Sequence, residues 1–146
     1  MRLLDTTGGN TKLAKNNRDV KIRVAGLSLF PNDTLCPMRH AAGCAKPCLV
    51  SAGRGIMSNV VSGRQAKTNF FLSDRAGFIE QLKRELANFE RVCQKTGVIP
   101  YVRLNVLSDI QWDLPAYGEI PQSFPNIRFY DYTKTSKATR KNAGQL

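Results

Sequence analysis

A long helix signal held between two apolar strands is the feature that most constrains this chain. From Ser73 to Lys95, the residues Ile79, Leu82, Leu86, Phe89 and Cys93 recur at spacings of three and four, which lines one face of a helix. Ser73 stands where an N-cap belongs, Asp74 falls in the first turn, and Gly97 follows the last periodic residue. Glu80 and Arg84 form an i,i+4 pair on the opposite, solvent side. Before the helix, Val20, Ile22 and Val24 alternate with polar residues and lead into a mostly apolar run to Phe30. After it, residues 98–107 place Val102, Leu104 and Val106 on one face and Arg103 and Asn105 on the other. Strand, helix, strand in that order favours a parallel βαβ unit, because a hairpin leaves no room for the helix. A third strand is expected over residues 126–131, after a connection containing Pro115, Pro121 and Pro125.

The expected fold is therefore α/β. It is a single small domain over residues 1–146, with a mainly parallel sheet resembling part of a β/α barrel. A cysteine-rich loop is expected at the C-terminal edge of the strands. Residues 1–19 read as a polar arm with room for one short strand, and residues 136–146 as a basic tail. Residues 35–55 carry Pro37, Gly43, Pro47, Gly53 and Gly55 and read as a loop. Residues 56–71 read as helical but interrupted, because Asn59, Ser62 and Gly63 oppose a long regular helix.

Charge narrows the partner. Lys and Arg number 22 against 11 Asp and Glu, a formal net charge of +11. Residues 34–73 contain Arg39, Lys46, Arg54, Arg64 and Lys67 and no acid, whereas residues 98–131 hold two basic and four acidic side chains. A basic protein with one acidic segment suits an anionic partner, nucleic acid or another phosphate-bearing ligand, held near carboxylates. A cationic surface kept for solubility is the plainer alternative. No apolar run approaches the roughly 18–20 residues of a membrane span, and the N-terminus has no apolar signal core. The expectation is an intracellular, cytoplasmic protein with no membrane partner.

Cys36, Cys44 and Cys48 form the pattern C-x7-C-x3-C. In a reducing compartment, clustered thiols point to metal or cluster ligation rather than disulfides. Three cysteines suit a [4Fe–4S] cluster that leaves one iron open. The alternative is zinc, with His40 completing a C-x3-H-x3-C-x3-C set. Three unligated thiols would be an oxidation liability. Cys93, on the apolar helix face, reads as core.

If the three strands are parallel, the cysteine loop, the Ser108-Asp109 turn and the Asp131–Lys134 turn share one sheet edge, where α/β sites are built. Asp109, Asp131 and Lys134 are then candidate catalytic groups, with Arg103 and Asn105 beneath them. Asp109 and Asp131 as ordinary turn residues are the competing reading. Arg54, Arg64 and Lys67, in a Gly/Ser-rich stretch, join Arg103 as candidate phosphate ligands. Phe70, Phe71, Trp112, Phe129, Tyr130 and Tyr132 are candidates for base stacking, with more of them expected in the core.

These residues carry a resemblance. The ordered set includes Leu27-Ser-Leu-Phe-Pro31, Cys36-Pro37, Gly43-Cys44, Cys48-Leu-Val-Ser-Ala-Gly-Arg-Gly55 and Arg64-Gln-Ala-Lys-Thr68. It continues with Arg103-Leu-Asn105, Ser108-Asp-Ile-Gln-Trp112 and Phe129-Tyr-Asp-Tyr-Thr-Lys134. Together these resemble the phage-encoded gene-product-eighty-eight-like proteins over most of residues 20–135. The resemblance implies that Cys36, Cys44 and Cys48 are the family's cysteine trio and that Asp109 and Asp131 belong to motifs. His40 falls where the family has a small residue, which weakens the zinc set. Members tend to run longer, with further strands, so this chain reads as a short form or an incomplete one. An exposed sheet edge would invite homo-oligomerisation or docking on a partner.

Three functions follow as expectations. The first is an iron–sulfur enzyme acting on nucleic acid or nucleotides, with S-adenosylmethionine as one ligand for the open iron, although the radical-type C-x3-C-x2-C spacing is absent. The second is a non-enzymatic, zinc-stapled basic module that binds nucleic acid or inhibits a host protein or nucleoprotein. The third is a Mg²⁺ nuclease using Asp109, Asp113 and Asp131.

Overall fold

The structure, a computed structural model, describes residues 1–6 and 21–136. Most of the N-terminal arm and the basic tail beyond Ser136 lie outside the described residues. In chain order the elements are β1 (Leu4–Asp5), β2 (Ile22–Leu27), α1 (Ser58–Ser73), α2 (Arg75–Thr96), β3 (Ile99–Arg103), α3 (Ile120–Ser123) and β4 (Arg128–Phe129). Short 3-10 turns occur at Leu49–Ser51, Gly53–Ile56 and Pro115–Tyr117.

The protein is α/β, with a four-stranded mixed sheet in the order β1-β2-β3-β4. β2 and β3 run parallel, with Ile22 opposite Ile99 and Gly26 opposite Arg103. β3 and β4 also run parallel, with Tyr101 opposite Arg128. β1 is antiparallel to β2, Leu4 facing Leu27. The three expected strands are thus parallel, and a fourth is added at the edge.

α2 is the helix that the periodicity predicts. Phe78, Leu82, Leu86, Phe89 and Cys93 are buried, and Ile79 packs at their margin. Each fully buried Leu or Phe is worth about 1.5–3 kcal/mol against exposure. Asp74, not Ser73, is the N-cap, its carboxylate accepting from Gly77 N at 2.9 Å. Ser73 instead closes α1, its hydroxyl donating to Phe70 O. Gly97 ends the helix in the left-handed conformation, φ +67°.

α1 is longer and more regular than Asn59, Ser62 and Gly63 suggest. Its inward face is Lys67, Thr68 and Phe71, mostly polar, so no apolar period announces it. Thr68 Oγ1 accepts from Phe30 N at 2.8 Å. Phe71 packs edge-on to Phe78 and Trp112 at 5.2 and 5.7 Å. These contacts outweigh the roughly 1 kcal/mol cost of one helical glycine.

The start of the polar arm is core. Leu3 and Leu4 are buried, and both their backbone N–H groups donate to the Glu85 carboxylate at 2.8–3.0 Å. Lys67 completes the attachment from α1, donating to Leu3 O at 2.8 Å and pairing with Asp5 at 3.4 Å. Glu85→Ala would leave two backbone donors without their acceptor. The expected result is a loss of about 2–3 kcal/mol, read as a lower urea midpoint with an unchanged m-value.

Candidate functional site

Each parallel strand ends at the same edge of the sheet, and the segments that leave those ends meet. β2 runs into the cysteine loop, β3 into the turn around Ser108 and Asp109, and β4 into Tyr132 and Lys134. Together they enclose a cleft of about 280 Å³ lined by Cys36, Cys44, Cys48, Arg39, Arg103, Asn105, Asp109, Tyr132 and Lys134. A larger cavity of about 380 Å³, lined by Arg2, Arg23, Glu85 and Phe89 among others, holds none of the predicted site residues.

The cysteine loop is wound by its own backbone. Cys36 N donates to Asn32 O, Ala42 N to Met38 O, and Cys44 N to Arg39 O, at 2.8–3.0 Å. Arg39 anchors it by donating to Pro31 O at 3.3 Å and pairing with Asp33 at 3.6 Å. All three thiols are half-buried. Cys36 Sγ donates to Leu107 O at 3.4 Å, and Cys44 Sγ to Arg39 O at 3.5 Å. Burial pushes the Cys36 thiol up to about 11, helped by the negative charges of Asp109, Cys48 and Cys44 and opposed by Arg39. Cys44, Cys48 and Asp109 thus each act electrostatically on Cys36. Among the described residues, however, no three His, Cys, Asp or Glu side chains gather as ligands of one ion.

The floor of the cleft is organised by Asn105, which is 1% exposed. Its Oδ1 accepts from Ser108 Oγ (2.8 Å), Ile110 N (3.0 Å) and Trp112 Nε1 (3.1 Å). Its Nδ2 donates to Ile110 O at 2.8 Å and to Asp131 Oδ2. One amide therefore holds the β3 exit turn to the β4 exit turn. Asp109 performs the second clasp, its Oδ2 accepting from Lys134 N at 3.0 Å and Thr135 Oγ1 at 3.4 Å. Its backbone N donates to Leu35 O at 2.8 Å, which ties in the cysteine loop.

Asp131 lies beside this network with its side chain 11% exposed. Burial raises its carboxyl to about 7, against the hydrogen bonds from Tyr132 N and Asn105 and the charge of Arg103. Arg103 Nε is 3.9 Å from Asp131 Oδ1, and its guanidinium lies 4.9 Å from the centre of the Tyr132 ring.

A family model described as Gene product 88 matches residues 2–146. The chain belongs to the Gene product 88 family. No curated protein and no solved structure matches it. For this Gene product 88 family protein, the match supports a phage origin.

The predicted residues separate into two groups. The cysteine trio, Asp109, Lys134 and Arg103 line one cleft, with Asp131 joined to it through Asn105 and Arg103. Arg54, Arg64 and Lys67 do not line it. Arg54 is exposed, and Lys67 is the strut under β1. Arg64 donates to Gly55 O at 3.4 Å, and burial lowers its pKa against the charges of Asp5 and Cys48. A Cβ at buried Gly55 would lie 3.0 Å from two carbonyl oxygens and 3.3 Å from that guanidinium. His40 is outside the cleft, its Nε2 exposed and 2.9 Å from Asp33 Oδ1. Asp113 is buried and lines neither cavity, so it is not grouped with Asp109 and Asp131 around a solvent-accessible site. Of the aromatic candidates, Phe71 and Trp112 are core, Phe70 and Phe129 pack against it, and Tyr130 and Tyr132 lie at the surface side. Arg39 is the lining residue that sequence reasoning missed. The signal was its place as the only Arg or Lys between Cys36 and Cys44.

Proposed function

We propose that this Gene product 88 family protein is a phage cysteine-cluster metalloprotein that carries an iron–sulfur cluster and binds or acts on nucleic acid or a nucleotide in the host cytoplasm. The observation that carries the reading is the shared cleft, lined by three half-buried thiols together with Arg103 and Lys134. The donor set is soft and suits iron–sulfur chemistry. Cys36, Cys44 and Cys48 would hold the group. When bound, it supplies an iron with no protein thiol, open to substrate or cofactor.

The chain's own residues supply the rest. Arg103 and Lys134 meet the anionic ligand. Asp131, with a carboxyl near 7, is suited to hold or release a proton at neutral pH. Asp109 positions the Lys134 turn. We read the parallel strands as part of a β/α barrel, whose strand ends carry sites of this kind.

Anaerobic purification with a visible spectrum and analysis for Fe, S and Zn tests the reading. The expected result is a brown protein with a broad band at about 400 nm and about four irons per chain. Cys44→Ala should lose that iron. A colourless protein with one zinc would overturn it in favour of the zinc-stapled basic module, for which host-protein binding and oligomerisation become the next measurements.

A further inference from the structure

β3 and β4 have two faces. Val102 and Leu104 point into the core. Tyr101 and Arg103 belong to the other face, and register sets Arg128 beside Tyr101. That second face begins at exposed Ile99 and continues as a strip of rings and guanidinium groups. Arg128 donates to the Tyr101 hydroxyl at 2.9 Å and lies 5.6 Å from its ring centre. Tyr101 and Tyr130 meet edge to face at 6.3 Å. Beyond them, Tyr132 carries Arg103 against its ring and is still 71% exposed. The strip runs from exposed Arg128 to Arg103 and Tyr132, which line the cysteine cleft.

We propose that this face binds single-stranded nucleic acid and leads it into the cysteine cleft. Unpaired bases offer π-faces to Tyr130 and Tyr132, and the phosphates between them meet Arg128 and Arg103. Two features favour this occupant over a protein. Beyond Ile99, exposed at the start of β3, the strip consists of rings and cations, and the whole chain carries +11. A duplex hides its base faces and fits less well. None of these groups recognises a sugar hydroxyl specifically, so DNA and RNA should bind alike. The inference rests on the nucleic-acid half of the proposed function and not on its metal.

The test is fluorescence anisotropy with a labelled oligo-dT, an oligo-rU and a DNA duplex of equal length. Oligo-dT and oligo-rU should bind with similar affinity, and both more tightly than the duplex. Tyr132→Ala should weaken single-strand binding about ten-fold or more, since stacking on one ring is worth that much. Arg128→Gln should weaken it too and lower the salt dependence. Lys95→Gln, an exposed charge in the last turn of α2, is the matched control and should have little effect. Tyr130→Leu serves as a second ring variant. If it fails to fold, the exposed positions Tyr132 and Arg128 decide.

Unchanged affinity in Tyr132→Ala and Arg128→Gln, with wild type still binding, would overturn the strip alone. Equal binding of duplex and single strand, or equal effects of Arg128→Gln and Lys95→Gln, would do the same, because each marks general charge attraction. No binding of any oligonucleotide by wild type would overturn both the strip and the nucleic-acid half of the proposed function. The iron analysis is unaffected by any of these results.

Discussion

Asn105→Ala should be among the most destabilising single substitutions in this protein, and it should loosen the cleft before it unfolds the chain. The amide is 1% exposed and serves five partners. Removing it leaves the Ser108 hydroxyl, the Ile110 N–H and the Trp112 indole N–H without their acceptor. It also strips Asp131 of one donor. An unsatisfied buried group costs about 1–3 kcal/mol, and water entering the new space would recover part of that. A net loss of about 3–5 kcal/mol is expected, enough to lower the melting temperature by roughly 10 °C or more in a chain of this size. Asn105→Asp separates shape from hydrogen bonding. It keeps the acceptor for Ser108, Ile110 and Trp112 but sets a carboxylate oxygen against Ile110 O and Asp131. Its stability should therefore approach wild type at acid pH and fall away as pH rises. Chemical denaturation of both variants at two pH values checks this. A loss below about 1 kcal/mol in Asn105→Ala would show that the network is not what joins the two exit turns.

That network also marks where sequence reasoning stopped. The apolar face of α2 was legible, because it is a regular stripe written at spacings of three and four, whereas its start was displaced by one residue, from Ser73 to Asp74. The parallel order of β2, β3 and β4 was legible for a related reason: a helix of that length between two strands admits few connections. α1 was only half legible, since its buried face is made by a lysine, a threonine and a phenylalanine. β1 is the one short strand that the arm had room for, but its attachment rests on Glu85, some eighty positions away in the chain, which nothing local in Met1–Thr6 signals. The same distance effect misdirects a reading of Lys67. By composition it belongs to a phosphate-binding stretch, and by contact it is a buried brace for Leu3 and Asp5. The convergence of Asp109, Lys134, Arg103 and the cysteine trio followed from topology alone, because residues just past parallel strand ends must share an edge. What topology did not supply is the chemistry between them. Asn105 alternates with core residues as an outward polar position should, yet it is buried because Ser108, Ile110 and Trp112 fold back over it.

Asp131 should give the protein an unusual dependence of stability on pH. Its carboxyl is raised from 3.8 to about 7, and burial is the cause, outweighing the hydrogen bonds and Arg103 that favour the charged form. The folded state thus binds a proton over a range where the unfolded chain has released it. Stability depends on pH in proportion to protons bound unfolded minus folded, which is negative between about pH 4 and 7. This group's contribution is therefore at its most favourable below about pH 4, declines as pH rises to about 7, and is level above that. The total decline is on the order of a few kcal/mol. Most paired carboxylates act in the opposite direction, so the profile of wild type alone mixes both. The difference between wild type and Asp131→Asn isolates the group. The amide cannot titrate, and it keeps an oxygen for Asn105 to donate to while giving up one accepted bond. Relative to wild type, Asp131→Asn should be least stable near pH 4 and should close that gap by pH 7. Urea titrations at half-unit steps from pH 4 to 8 measure it. A wild-type-minus-variant difference that stays flat would mean that Asp131 is already ionised throughout, held so by Arg103 and Asn105. It would then lose its proton-handling role in the proposed function and keep only that of a fixed negative charge beside the cleft.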